Sequence, residues 1–227
     1  MQIILDMAVY SNIAATVLSV IVSLYLVRLW KRQETRLYTD LPLVFGVSFM
    51  AQAVNTFMLA FSTMGLIEVT MEVFRVRATL IALALIPLSL VLLSIWLPRL
   101  QSRYGQILGV LTVYMVSVAL LGPTEEFIMS LSIPIILVIL VGLIVTFTVT
   151  WKTGRLKEVR SELMVVSIIL MFISQMAKVP LTAMGLVILP DLITAISTIM
   201  AAIAITNPWY RKTESPPKET ELTAISY

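Results

Sequence analysis

The chain has no cysteine and no histidine in its 227 residues, and only 13% of it is charged. Without cysteine there is no disulfide, no thiol nucleophile and no thiolate ligand. Without histidine, the Ser-His-Asp triad, imidazole-bound haem and the usual zinc sets are excluded too. Most enzyme classes go with them, so the expectation is a non-enzyme with no cofactor and no metal. Charge is scarcer than in a soluble domain, where about a quarter of residues carry it. The start, Met1-Gln2-Ile3-Ile4-Leu5-Asp6, also lacks the basic region of a signal peptide, and no small-residue cleavage site follows it. The first apolar run is therefore expected to remain as a membrane span.

What is present is apolar: 59% of residues are hydrophobic and the mean hydropathy is +0.98. At roughly 20 apolar residues per spanning helix, 227 residues hold about seven or eight spans and leave no room for a soluble catalytic domain. Apolar runs of spanning length fall at about 8–29, 41–62, 76–97, 105–122, 127–150, 162–185 and 190–207. The expected fold class is all-α: a polytopic membrane protein, a seven-transmembrane-helix bundle. One domain covers 1–212, and residues 213–227 form a disordered cytoplasmic tail, where Ser215-Pro216-Pro217 and mixed charge replace apolar periodicity. The joints carry helix-start signals: Asp40 before Pro42, Thr124 with Glu125 and Glu126, Ser161 with Glu162, and Pro190 with Asp191.

Basic residues set the orientation. Arg28, Lys31, Arg32 and Arg36 follow span 1; Arg99 and Arg103 follow span 3; Lys152, Arg155, Lys157 and Arg160 follow span 5; Arg211, Lys212 and Lys218 follow span 7. Thirteen of the 16 lie on one side, while the other has Arg75 and Arg77, beside Glu68 and Glu72, and the acidic Glu125-Glu126 turn. The positive-inside rule then places the N-terminus outside and the C-terminus in the cytoplasm, in the plasma membrane. The net charge of +3 and pI near 9.3 are accounted for by these loops, so no nucleic-acid partner is expected.

The halves carry a faint repeat. Trp30-Lys31 after span 1 matches Trp151-Lys152 after span 5, and Met64-Gly65-Leu66 matches Met184-Gly185-Leu186. Two three-helix segments keep one orientation only when an odd number of spans separates them, and span 4 is that linker, which gives a 3+1+3 internal duplication. Chance is the competing explanation, because apolar segments draw on few residue types. The plan is similar to that of the SWEET-type sugar transporters and the microbial opsins. It carries the motif of neither: the sequence has no Pro-Gln pair, and Ala177-Lys178-Val179, which resembles an opsin's retinal lysine and its neighbours, is followed by another complete span. It also resembles seven-helix sensor modules that precede cytoplasmic signalling domains.

Ionisable and amide side chains within spans are costly and default to functional hypotheses. Counting about 1.5 Å per residue from the cytoplasmic end of each span, Asn12, Asn55, Lys178 and Asp191 all fall roughly 22–24 Å up. Gln52 and Gln175 lie about one turn deeper on the faces of Asn55 and Lys178, and Thr182 continues the Lys178 face outward. These seven residues are the candidate ligand-binding set, with a Lys178–Asp191 ion pair among them. The competing reading has Asp191 complementing a helix N-terminus, Lys178 snorkelling to the headgroups, and the amides serving as interhelical glue. The 13 methionines read as core and lipid-facing filler. Pro87, Pro134 and Pro180 lie within spans and are candidate hinges or static kinks.

The inner half, by contrast, offers only hydroxyls able to bond back to their own helices. A pocket open outward above an apolar floor follows, which favours sensing over translocation. The functional expectation is a monomeric receptor-like or sensory protein that binds a small ligand or lipid from the outer side. Its partners would be membrane lipids, a small-molecule ligand, and a cytoplasmic or membrane protein. The alternatives are a 3+1+3 secondary transporter or channel, and a non-catalytic subunit of a membrane complex.

Overall fold

The computed structural model describes residues 2–34, 36–154 and 159–207, apart from the side chains of 2–6, 179, 182 and 183. The tail expected at 213–227 lies outside the described residues. Within them the chain forms seven α-helices and no strand: α1 (Gln2–Lys31), α2 (Leu41–Thr63), α3 (Met71–Trp96), α4 (Tyr104–Leu121), α5 (Glu125–Thr153), α6 (Ser161–Ala183) and α7 (Ile188–Thr206). A 3-10 turn, Pro98–Arg103, leads into α4. All seven are long and apolar enough to cross a membrane, with mean hydropathy between 1.5 and 3.0 in their best windows.

The ends follow from local chemistry. Thr70 and Thr124 are extended N-caps whose hydroxyls accept from the backbone N–H groups of Val73 and Phe127. Asp40 stands at the N-cap position of α2 but makes no side-chain capping bond, because its carboxylate is turned back onto the Leu37 N–H at 2.8 Å. At the far ends of α2 and α6, Gly65 and Gly185 adopt φ of +72° and +80°. The following Leu66 and Leu186 N–H groups then reach back to the Phe61 and Leu181 carbonyls, the bond that closes a Schellman cap. The two Met-Gly-Leu segments therefore do the same capping work. Helix α3 begins five residues before the expected 76 and so takes in Glu72 and Arg75, which lie ahead of the span expected from hydropathy. Pro87, Pro134 and Pro180 lie inside α3, α5 and α6, and each helix continues through its proline.

Helix α1 packs on α2 and α7, α2 on α3, α3 on α5, α5 on α6 and α6 on α7, which closes a ring of six. Helix α4 sits outside the ring against α3 and α5, and α2 touches α7 beside α1. The interior has two characters. Where α3, α4 and α5 meet it is apolar, with Ala82, Leu85, Val91, Met115, Ile139, Leu143 and Phe147 buried. On α1, α6 and α7 it carries hydroxyls: Thr16, Ser19 and Ser23 on α1, Ser167 and Ser174 on α6, and Thr194, Ser197 and Thr198 on α7 are all buried.

Several buried hydroxyls bond across helices as well as back along their own. Ser23 donates to the Gly46 carbonyl at 2.7 Å and Ser48 to the Ala84 carbonyl at 2.8 Å. Ser167 and Ser197 each donate to the other's carbonyl, at 2.9 and 2.8 Å. Others, such as Thr16 and Thr198, do bond back four residues along their own helix.

Candidate functional site

Helix α7 starts at Ile188, so Pro190 falls in its first turn, where its missing N–H costs no helix bond. Asp191 follows in the same turn, at the end of the helix dipole that favours a negative charge. Its side chain is only 9% exposed and is held from two sides. Ser11 of α1 donates to Oδ2 at 2.6 Å, and the Lys178 ammonium of α6 donates to Oδ1 at 3.3 Å. The expected ion pair is therefore present, and Asp191 complements its helix N-terminus as well. Lys178 contributes its charge from a side chain still 35% exposed.

One turn below Lys178, Ser174 donates to the Pro190 carbonyl at 2.6 Å. With that single proton committed, the Ser174–Thr194 contact of 2.8 Å has the Thr194 hydroxyl as donor. Next to Ser11, Asn12 is buried, and its Nδ2 donates to the Ala8 carbonyl at 2.8 Å. Its Oδ1 is enclosed and has no hydrogen-bond partner. Helix α1 packs only on α2 and α7, so the face that buries Asn12 is the seam of these three helices.

The shared level divides into two clusters. Ser11 of α1 and Lys178 of α6 meet on Asp191 of α7, and no hydrogen bond brings Asn12 into that cluster. Asn55 instead accepts from Arg77 Nε of α3 at 3.1 Å. Above it Arg75 donates through Nη2 to the Gly122 carbonyl at 3.0 Å, while its Nε is enclosed without a partner. Gln52 is half-buried and Gln175 exposed, and neither amide joins a cluster among the described residues. The Thr182 side chain lies outside the described residues. Sequence reasoning missed Ser11, which the adjoining Asn12 could have flagged, and Arg77, which was counted among the outer-side charges and not weighed as a partner for Asn55.

Among the described residues no three of His, Cys, Asp and Glu come together to hold a metal ion. The chemistry of the Ser11–Asp191–Lys178 cluster is that of a neutralised carboxylate. At the other end of the bundle a cleft of about 250 Å³ is lined by Thr150, Arg160, Ser161, Glu162 and Asn207, among others.

Fold and site together define a polytopic α-helical membrane protein with an ion pair among its spans. Comparison of the chain with protein families, curated proteins and solved structures finds no match.

Proposed function

We propose that this is a receptor-like or sensory protein of the plasma membrane that binds a small ligand or lipid from outside and performs no catalysis. Its N-terminus is outside and its C-terminus cytoplasmic, an orientation supported by the thirteen basic residues in the loops of one side. Membrane lipids surround it, and a cytoplasmic or membrane protein partner reads its state. The observation that carries the reading is the enclosed Asn12 Oδ1, in the same turn of α1 as the Ser11 that bonds Asp191. A buried acceptor without a donor costs about 1–3 kcal/mol, and a bound molecule can supply that donor. The hydroxyls deeper in the bundle are already engaged with helix carbonyls. They lock helices together and form a closed floor beneath the cluster.

The rival is a transporter of 3+1+3 architecture, and the neighbour pattern favours it. Moving α1, α2 and α3 onto α5, α6 and α7 maps each adjacent pair of the six-helix ring onto another adjacent pair. The α2–α7 contact has no counterpart between α6 and α3.

Single cysteines in this cysteine-free chain separate the readings. For the sensor, cysteines at Ser11 and Asn55 label with an impermeant thiol reagent from outside, while those at Ser48 and Ser167 stay protected from both sides. A transporter alternates access, so labelling of Ser48 or Ser167 positions from the cytoplasmic side overturns the proposal. Protection at Ser11 and Asn55 as well points to a structural subunit.

A further inference from the structure

The second polar cluster, between α2 and α3, holds a positive charge with no carboxylate against it. We infer that Arg77 binds the phosphodiester of one phospholipid, in the leaflet where α3 begins, with the Nη fork of its guanidinium on the phosphate oxygens and Asn55 as its brace. The inference is independent of the Asp191 cluster. The orientation of the chain decides only which leaflet supplies the lipid.

Arg77 has five N–H donors and spends one of them on the protein. Its Nε donates to Asn55 Oδ1 at 3.1 Å, while its two Nη groups bond to no described residue and are not enclosed. The ion pairs among the described residues are Arg160–Glu162 and Lys178–Asp191, so neither Arg77 nor Arg75 has one. Glu125 reaches Arg77 only through its field and is itself exposed, where water screens it. An ionisable group within a span is expensive and ordinarily paired. The bond to Asn55 sets the plane of the guanidinium and leaves Asn55 Nδ2 open, so the groups still free on these two side chains are N–H donors. Donors with a positive charge select an anion, and a planar fork selects one that presents two oxygens side by side.

Depth and surroundings select a lipid. Arg77 stands six residues into α3, about 9 Å along its axis, and one residue inside the apolar run expected from 76. Helical side chains lean towards the N-terminus of their helix, which for α3 is the nearer membrane surface, so the fork is carried back to the level of the phosphates. Three and four residues away on the same faces, Met58 of α2 and Val73 and Leu80 of α3 are apolar and half-buried. They offer a surface to acyl chains rather than to a soluble ion. The field of Glu125 opposes a second negative charge, which favours a diester over a monoester. Arg75 lies outside the site: two residues along the helix turn it about 200° away, its Nη2 is on the Gly122 carbonyl and its Nε is enclosed.

The test is native mass spectrometry of the full chain in detergent, titrated with dioleoylphosphatidylglycerol. Dioleoylphosphatidylcholine serves as a second diester and dioleoylglycerol as the control without phosphate. The expected result is one molecule of either phospholipid retained under activation that strips the others, and no dioleoylglycerol. Arg77→Met weakens this site roughly tenfold or more, while Arg75→Met, which removes the same charge from the other side of α3, stays within about twofold. Arg77→Lys keeps the charge without the fork and weakens binding several-fold, which supplies the comparison if Arg77→Met does not fold. In bilayers, solid-state NMR should detect a nitrogen–phosphorus dipolar coupling at an arginine guanidinium that disappears in Arg77→Lys.

Equal binding by the wild-type chain and Arg77→Met, or retention of dioleoylglycerol, overturns the inference. Equal losses from Arg75→Met and Arg77→Met also overturn it, because they reduce binding to a general attraction between charge and lipid. Displacement of the phospholipid by inorganic phosphate at equal concentration assigns the fork to a water-soluble anion and overturns the lipid as its occupant.

Discussion

Replacing Lys178 by methionine should cost much more stability than replacing Asp191 by asparagine, because the partners are buried to different extents. Lys178→Met leaves a carboxylate that is 9% exposed with Ser11 as its remaining side-chain donor. An uncompensated charge in such a place costs about 3 kcal/mol. Asp191→Asn leaves an ammonium whose side chain is 35% exposed and whose stem can reach the interface. Solvent screening and snorkelling reduce that penalty to about 1 kcal/mol. The double variant keeps the neutral surroundings of both and should lie near the Asp191→Asn value, so the coupling in the cycle is about 2–3 kcal/mol. Reversible unfolding of the four proteins in bicelles measures it. Single effects that add to within about 0.5 kcal/mol would refute the reasoning, and so would a larger loss from Asp191→Asn.

Three further outcomes follow from the packing. A Cβ at Gly46 would stand 2.9 Å from Val27 Cγ2 and 3.4 Å from the Ser23 carbonyl, so Gly46→Leu forces α1 from α2, breaks the Ser23 bond and costs about 2–3 kcal/mol in the same assay. Ser167→Ala and Ser197→Ala each remove one bond of the reciprocal pair and should each cost about 0.6–1.7 kcal/mol, with clear non-additivity in the double variant, whereas unchanged Tm in both would show the pair to be idle. Cysteines at Glu126 and Lys152, exposed at opposite ends of α5, should label from outside and inside respectively with an impermeant reagent, and the reverse pattern would overturn the orientation.

The spans were legible because bilayer thickness imposes a length on apolar runs, and every span emerged as a helix. The start of α3 was not, because Glu72 and Arg75 look like a loop to a hydropathy count while helical backbone tolerates them readily near an end. Depth was legible too: a fixed rise per residue placed Lys178 and Asp191 level, and they touch. Azimuth was not. Counting along a helix says how high Asn55 sits but not that its neighbour is Arg77 of α3 rather than the Asp191 cluster, and Gln175 shared Lys178's height range yet faces outward. The Ser48–Ala84 and Asn55–Arg77 contacts keep one antiparallel register between α2 and α3, a regularity visible only once one contact is known. The Met-Gly-Leu match left duplication and chance open, and its geometry shows a capping requirement that any two helix ends could meet independently.

The stitching of α6 to α7 has a mechanical consequence. They are pinned at Ser167–Ser197, at Ser174 with Pro190 and Thr194, and at Lys178–Asp191, levels spread over about 16 Å of helix. Pins at separate heights resist shear and rotation together, so the pair is stiff like a laminated plank. Helix α1 is fastened to that plank through Ser11, and the fastening passes through the same carboxylate that holds Lys178. A change of partner on Asp191 thus loads the joint between plank and post. Spin-label distances between α1 and α7 should respond to it while those between the lower halves of α6 and α7 stay fixed; equal changes in both would show that the two helices do not move as one.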